Sequence, residues 1–288
     1  MVLGFIFAFI TAIFESTKDL FSKKGLQKVD EYVVAWGLRA FALPFLLPLL
    51  LFISLPTLDG YFWYALFIGG GLNVITTILY MKAIKLSDLS ITIPMVTFTP
   101  LFLLITSPLI VGEFPSVLGI VGICLIVLGA YFLSIKEVRK GLFAPFKVLT
   151  REKGPVIMLL VAFIWSITAN IDKIGVLHSS PIFWVISTNV FLTATLSPIM
   201  FLRSKNTTRE ISVNIKGLIP VGLFSALALI FQMTAIKLTL VAYVIAIKRA
   251  SAIFSSLYGF FIFKEAGMKE RLLGAVIMVL GVFFITLF

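Results

Sequence analysis

Residues 155–176 read PVIMLLVAFIWSITANIDKIGV, an apolar run whose two charged side chains, Asp172 and Lys173, lie near its end. A helix needs about 20 mostly apolar residues to cross a bilayer, because each residue rises 1.5 Å through a hydrocarbon core about 30 Å thick. The run is continuously apolar, whereas a strand of a closed membrane barrel alternates. This stretch therefore predicts a membrane-spanning helix.

Similar runs fill the rest of the chain and are separated by short turn-like stretches. The ten predicted spans are 2–22, 31–53, 61–83, 88–111, 115–135, 155–176, 181–202, 216–237, 240–263 and 269–287. The longest polar stretches, 136–154 and 203–216, are too short for a soluble catalytic domain. The sequence thus predicts an all-α polytopic membrane protein with ten transmembrane helices.

Composition agrees with a bilayer as solvent. Sixty per cent of the 288 residues are apolar and 13% are charged, whereas soluble domains carry about 45–50% apolar and about 25% charged residues. The net charge of +11 comes mostly from Lys and Arg between apolar runs, which is typical of loops on the positive side of a membrane. A nucleic-acid binder needs a basic stripe on a folded face, so we expect no nucleic-acid partner.

Enzymatic and cofactor chemistry finds little support in the sequence. Cys124 is the only cysteine and His178 the only histidine, which excludes an intrachain disulfide and most zinc hydrolysis. The sequence has no Gly-x-x-x-x-Gly-Lys-Ser/Thr loop for nucleotide binding. We expect a protein that is not an enzyme and holds no metal or cofactor; an intramembrane transferase is the disfavoured alternative. The first apolar run has no cleavage site after it, so we interpret it as a retained span.

The two halves of the chain resemble each other at a nearly constant offset. The matches are Lys23-x-Gly25 with Lys173-x-Gly175, Pro48 with Pro198, Met81–Leu86 with Met233–Leu238, Glu113 with Glu265, Gly122 with Gly274, and Leu128-Gly129 with Leu280-Gly281. Several matches at one offset indicate a duplication. We predict a first repeat at 1–135, a polar linker at 136–154 and a second repeat at 155–288.

Five spans in each half make the second repeat inverted in the membrane. Inverted repeats are the architecture of alternating access, in which one half rocks against the other around a central cavity. The loops after even-numbered spans hold only Lys173 and Lys237 as basic residues. The positive-inside rule therefore places the loops after odd-numbered spans in the cytoplasm and both termini outside.

The sequence resembles the drug/metabolite transporter superfamily, specifically its ten-span EamA-type members. The resemblance is carried by the turns at Glu113 and Glu265, each followed by a glycine-bearing span that ends in Leu-Gly, and by Arg39 in the second span. It implies a multi-pass protein of the cell membrane that exports small organic metabolites such as amino acids. Members of the family usually place both termini in the cytoplasm, which is opposite to the charge tally.

Glu15 is a candidate for proton coupling. It lies in the first span with Lys18 and Asp19, which can share its helical face. The spacing from Glu15 to Lys23 resembles the first helix of the small multidrug resistance transporters, whose glutamate carries proton and drug. The alternative is a local Glu15–Lys18 ion pair. Trp165 occupies the corresponding position of the second half.

Lys248 and Arg249 are adjacent cations near the middle of the ninth span, and their counterparts in the first half, Val96-Thr97, are uncharged. The pair resembles the Lys-Arg dipeptide of sugar-phosphate translocators, where it binds the substrate phosphate. It predicts either an anion or phosphate-ester site or ion pairs with Glu15 or Asp172. Further candidates for cavity walls and substrate binding, each also suited to helix–helix contacts, are Trp36, Asn73, Thr77, Tyr80, Asn170 and Gln232.

Overall fold

A computed structural model describes residues 1–25, 29–87, 92–134, 152–204, 206–263 and 268–287. These residues form helices and turns, and they include no strand. The helical segments are α1 (Val2–Gly25), α2 (Glu31–Ala40, then Leu43–Leu46 and the 3-10 helix Leu47–Phe52), α3 (Gly60–Tyr64, the π-helical turn Ala65–Gly69 and Gly70–Leu86), α4 (the 3-10 helix Ile93–Phe98 and Thr99–Val111), α5 (Val117–Ser134), α6 (Lys153–Leu177), α7 (Pro181–Arg203), α8 (Thr207–Leu238), α9 (Val241–Lys248 and Ser251–Phe263) and α10 (Met268–Thr286).

Five of these segments are long and apolar enough to cross a membrane. They are α2, most of α3, α6, α7 and α8. Shorter apolar helices lie in α4, α5 and α10. The predicted all-α polytopic membrane protein is confirmed, and the count of ten crossings stays a prediction.

Large apolar side chains cover the outside of the helices. Leu51 and Leu202, for example, are each 85% exposed. Exposed apolar surface on this scale is unfavourable in water and favourable against lipid tails. The hydrocarbon core of the bilayer is therefore the medium that suits this surface.

α8 is longer than the predicted span 216–237. It begins at Thr207, so most of the polar stretch 203–216 is helical. The extra turns are stabilised by contacts with the first half: the Asp30 amide donates to Glu210 Oε2 at 2.8 Å, and Ile211 packs in a cluster with Phe21 and Leu218. Hydropathy could not show this extension, because those contacts come from another part of the chain.

The pattern of helix contacts stays the same when the two halves are exchanged. α1 packs along α8 just as α6 packs along α3, and α1 contacts α9 just as α6 contacts α4. α5 packs along α10, and α2 packs along α7. Replacing each segment by its counterpart five positions along the chain returns the same pairs, as expected for two repeats related by a two-fold axis.

Four glycines show this relation at atomic detail along α5 and α10, in what we call the glycine seam. A Cβ on Gly122 would lie 2.6 Å from the Gly281 carbonyl oxygen, and a Cβ on Gly129 would lie 2.5 Å from the Gly274 carbonyl oxygen. Gly122 is the counterpart of Gly274, and Gly129 of Gly281, so the two contacts are copies of each other. The two antiparallel helices approach backbone to backbone, which only glycine permits.

We call the membrane face that carries Met1 and the end of α10 the terminal face, and the opposite one the basic face. On the terminal face, Gly4 of α1 packs against Thr239 after α8. On the basic face, Gly154 of α6 packs against Ser87 after α3, and its amide donates to Ser87 Oγ at 3.2 Å. The same contact therefore occurs once on each face, which supports the inverted arrangement.

Candidate functional site

Charged side chains from both repeats meet between α1, α8 and α9, in what we call the central cluster: Glu15, Lys18, Lys248 and Arg249, with the amide of Gln232. Lys18 Nζ lies 2.7 Å and Lys248 Nζ 3.6 Å from Glu15 Oε1. Lys248 also donates to Gln232 Oε1 at 2.8 Å. The Glu15–Lys18 and Glu15–Lys248 ion pairs, each an alternative that the sequence left open, are therefore both present. The Glu15 carboxylate thus joins the first repeat to the second.

Arg249 is paired differently from its neighbour. Its Nη2 donates to Thr99 Oγ1 of α4 at 3.1 Å, and its Nε is buried with no hydrogen-bond partner. Among the described residues, no carboxylate lies within 4 Å of this guanidinium. A buried cation that lacks a counter-ion is costly, so Arg249 has the capacity to bind an added anionic group.

The backbone of α9 explains how two adjacent cations reach this depth. The helix is interrupted after Lys248, where the Arg249 amide bonds to the Ala246 carbonyl and the Ala250 amide to the Ile247 carbonyl, both at 2.9 Å. These are i to i+3 bonds, which tighten the helix as in a 3-10 turn. In the first half, α4 is likewise 3-10 helical at Ile93–Phe98. Interrupted helices at corresponding positions of two repeats are typical of transporter binding sites.

Two more charged residues extend the field around the central cluster. Arg39 of α2 interacts electrostatically with Asp172 and Glu15. Asp172 of α6 accepts a hydrogen bond from Trp184 Nε1 at 2.9 Å. Counted with Glu15, Lys18, Asp19, Lys248 and Arg249, the described residues here are four cations and three carboxylates, an excess of one positive charge.

Tyr80 lies beside the central cluster. Its ring stacks on Trp165, with 5.9 Å between centroids, and Trp165 Nε1 donates to Thr76 Oγ1 at 3.2 Å. Tyr80 is also within electrostatic range of Asp19. The α3–α6 side of the cluster is thus aromatic, and Trp165 itself is the counterpart of Glu15.

Asn73, Thr77 and Trp36 are not brought to the charges by described contacts. Asn73 Nδ2 donates to the Gly69 carbonyl and Thr77 Oγ1 to the Asn73 carbonyl, both within α3. Trp36 Nε1 donates to Ser197 Oγ of α7 at 2.9 Å. These contacts fit the helix-packing interpretation, and their role in substrate binding stays a prediction.

Asn170 is fully buried between α6 and α4. Its Nδ2 donates to Thr106 Oγ1 at 3.1 Å and to the Ser166 carbonyl at 2.8 Å, while its Oδ1 accepts from Ser107 Oγ at 2.8 Å. Both polar atoms of the amide therefore have protein partners. This network fastens α6 of the second repeat to α4 of the first.

A second group of polar contacts joins the repeats at the terminal face, in what we call the terminal latch. Lys173 Nζ lies 2.8 Å from Glu113 Oε1, and the side chains of both residues are only 12% exposed. Lys173 also donates to the carbonyls of Ile236 and Thr239, at 2.6 and 3.0 Å. Glu113 Oε2 accepts from the Val241 amide at 2.7 Å. The latch ties the α4–α5 turn to α6 and to the α8–α9 turn.

Sequence reasoning missed Thr99 and Trp184 and undervalued Asp172 and Lys173. Asp172 entered only as an alternative partner for the cations of α9, and Lys173 only as a repeat marker and a loop charge. The signal that could have singled them out is the pair of adjacent charges near the end of a predicted span. Glu265, the repeat counterpart of Glu113, and the side chains of Lys23-x-Gly25, the counterpart of Lys173-x-Gly175, lie outside what the structure describes.

A metal site and an apolar groove are weaker candidates than the central cluster in the described part of the chain. No three His, Cys, Asp or Glu side chains there come together as metal ligands. A groove of about 340 Å³ between α1, α9 and α10 is lined by apolar side chains and Thr286. It holds none of the charged groups, so the central cluster is the better candidate site.

Two helical repeats with paired interrupted helices and charges buried between them define a membrane transporter of small molecules. The sequence matches the EamA-like transporter family over residues 2–135 and again over residues 152–287. The chain therefore belongs to the EamA-like transporter family and is a multi-pass integral protein of the cell membrane.

The fold itself is shared with a solved structure. A protein of known crystal structure superimposes with a TM-score of 0.80, covering 99% of this chain and 96% of its own, at 16% sequence identity. That likeness shows the fold alone. No curated protein matches the chain in sequence.

Proposed function

We propose that the chain is a secondary transporter that exports small organic metabolites, such as amino acids, by alternating access around the central cluster. The observation that carries the proposal is the contact between Glu15 of one repeat and Lys248 of the other, deep within the spans. Ionisable groups at this depth are expensive and usually face a substrate or ion pathway. A rocking motion of the repeats would make and break this contact.

The basic face would then be cytoplasmic by the positive-inside rule. The terminal face, which the latch closes, would be external. The described contacts thus favour a conformation that is shut towards the outside. The proposed export begins from such a conformation, because substrate must enter from the cytoplasm.

The experiment is flux in liposomes that contain the purified protein. Labelled amino acids would be loaded, and their movement compared with and without a pH gradient. Lys248→Met and Arg249→Gln should each reduce flux by roughly 10–100-fold, since a hydrogen bond to a charged group contributes about 1.5–3 kcal/mol. Lys237→Met is the matched control, because Lys237 is exposed at the end of α8 and contributes no described contact to the cluster.

Wild-type flux equal to that of empty liposomes for every amino acid would count against this substrate class. Normal flux in both cluster variants would count against the site.

A second candidate function is translocation of organic anions or phosphate esters. It is favoured by the guanidinium of Arg249, whose buried Nε lacks a partner. A planar guanidinium suits the two oxygens of a carboxylate or phosphate. Arg249→Lys keeps the charge and removes this fork, so it should weaken transport of phosphate esters while sparing neutral substrates. Unchanged phosphate-ester uptake in this variant would exclude the candidate.

A further inference from the structure

We propose that Asp172 is the proton-binding carboxyl group that couples transport to a proton gradient. This inference rests on the proposed transport function and replaces Glu15 in the coupling role. The proton would bind the carboxylate from the terminal face. Protonation converts the carboxylate to a neutral carboxylic acid and removes one buried charge.

The first argument compares the carboxyl groups at membrane depth. Within the described spans, three lie more than one helical turn from a helix end: Glu15, Asp19 and Asp172. Glu15 has two ammonium partners, and Asp19 has Lys18 at 3.3 Å. Asp172 has no cation within 4 Å among the described residues, and its described hydrogen bond comes from the neutral indole of Trp184. A paired carboxylate keeps its charge, whereas an unpaired one in hydrocarbon gains most from a proton.

The second argument is geometric. Trp184 is fully buried and fixed in place, with its ring packed on Gly175 and on Phe62. Its N–H donates a hydrogen bond to Asp172 Oδ1, so Oδ2 is the oxygen that would receive the proton. Asp172 precedes the end of α6 at Leu177 by five residues, which corresponds to about 7.5 Å along the helix. The carboxyl therefore lies near the terminal face, from which a proton would reach it once the terminal latch opens.

The third argument concerns the charges that face Asp172. α9, which packs against α6, contributes Lys248, and Arg39 lies on α2 of the other repeat. Both cations act on Asp172 electrostatically, although neither forms a described ion pair with it within 4 Å. The neighbouring Lys173 is occupied by Glu113 in the terminal latch. Protonation cancels the attraction between Asp172 and Arg39, which belong to different repeats. Proton binding thus weakens the interaction between the two repeats at a place where they must move.

The test that needs no substrate is infrared titration of the purified full chain in lipid. We expect a protonated-carboxyl band whose intensity falls as the pH is raised. The band should be absent in Asp172→Asn and retained in Glu15→Gln. Trp184→Phe should shift its frequency without abolishing it, because the indole donor is lost while the carboxyl remains. A band that persists in Asp172→Asn, or no such band in the wild type, would overturn the proposal.

Flux in liposomes separates this inference from the proposed function. Asp172→Asn should abolish the acceleration by an imposed pH gradient, so that the ratio of its flux with the gradient to its flux without the gradient falls to one, whatever its absolute flux. If the wild type moves no amino acid or anion, the transport proposal fails, whatever the infrared result. If the wild type responds to the pH gradient and Asp172→Asn responds equally, Asp172 is not the coupling group.

Discussion

Lys173 of the second repeat lies 2.8 Å from Glu113 of the first, and each partner also binds backbone atoms at the turn between α8 and α9. Two loops and the end of one helix are thus held by a single ion pair. Because both side chains are nearly buried, removal of one charge leaves the other without a counter-ion. The pair therefore contributes to the stability of the terminal face.

The terminal latch gives the first prediction. Glu113→Gln and Lys173→Met should each lower the free energy of unfolding by about 3 kcal/mol, the cost of breaking a buried pair. The double variant should lose little more than either single variant, since the interaction is already gone. Denaturant titration in detergent measures this, and Lys237→Met serves as the control. Fully additive losses would mean that the two residues do not act as a pair.

The glycine seam gives the second prediction. Gly122→Ala and Gly281→Ala should destabilise the protein by about 1–3 kcal/mol, because the new methyl group meets a backbone carbonyl that cannot move aside. Gly71→Ala is the matched control, since a Cβ there would meet nothing within 4 Å. It should be neutral or stabilising by up to about 1 kcal/mol. Equal thermal shifts for the seam and control variants would exclude close packing as the reason for these glycines.

Asn170 gives the third prediction. Asn170→Ala should cost about 1–3 kcal/mol of stability, because it removes one hydrogen bond from each of two buried hydroxyl groups, on Thr106 and Ser107. Asn73→Ala should cost less, since Asn73 bonds only to its own helix among the described contacts. Thermal unfolding measures the stability, and substrate affinity of the folded fraction separates the two roles. A loss of affinity in Asn170→Ala without a loss of stability would assign Asn170 to substrate binding instead.

The fourth prediction concerns pH at the terminal face. Asp59 accepts the Phe62 amide at 3.0 Å and lies 2.7 Å from His178 Nδ1, and these contacts hold its pKa below the ordinary value, the amide most strongly. A carboxyl with a lowered pKa stabilises the fold above the pKa of the unfolded chain, about 3.9. That contribution is lost as the pH falls through the lower, folded-state value.

Thermal unfolding at stepped pH tests this contribution. Asp59→Asn should flatten the acid limb of the stability curve, because the amide does not titrate. An acid limb identical to that of the wild type would show that other groups control it.

The sequence was sufficient to predict the helical segments and the repeat. Helix length in a membrane is dictated by bilayer thickness, so a run such as 155–176 leaves few alternatives, and α6 is helical throughout it. The matched glycines indicate the duplication from their spacing alone. Properties that depend on one segment alone, or on two aligned copies, can be recognised in a linear sequence.

Lateral partners could not be predicted in the same way. Lys248 could have paired with Glu15 or with Asp172, and only the packing of α9 against α1 decides for Glu15. The early start of α8 likewise depends on Asp30 and Phe21 of the other repeat. Thr99 carries no sequence signal at all, because a threonine in an apolar helix is ordinary until an arginine reaches it.

The seam between α5 and α10 has an evolutionary consequence. α5 and α10 contact each other through corresponding surfaces. An ancestral five-helix polypeptide could therefore have associated with an inverted copy of itself through identical glycines. Fusion of two such genes removes the need for the copies to stay alike. The seam has kept its symmetry. Elsewhere the repeats have diverged, since Trp165 is the repeat counterpart of Glu15, and Val96 is the counterpart of Lys248.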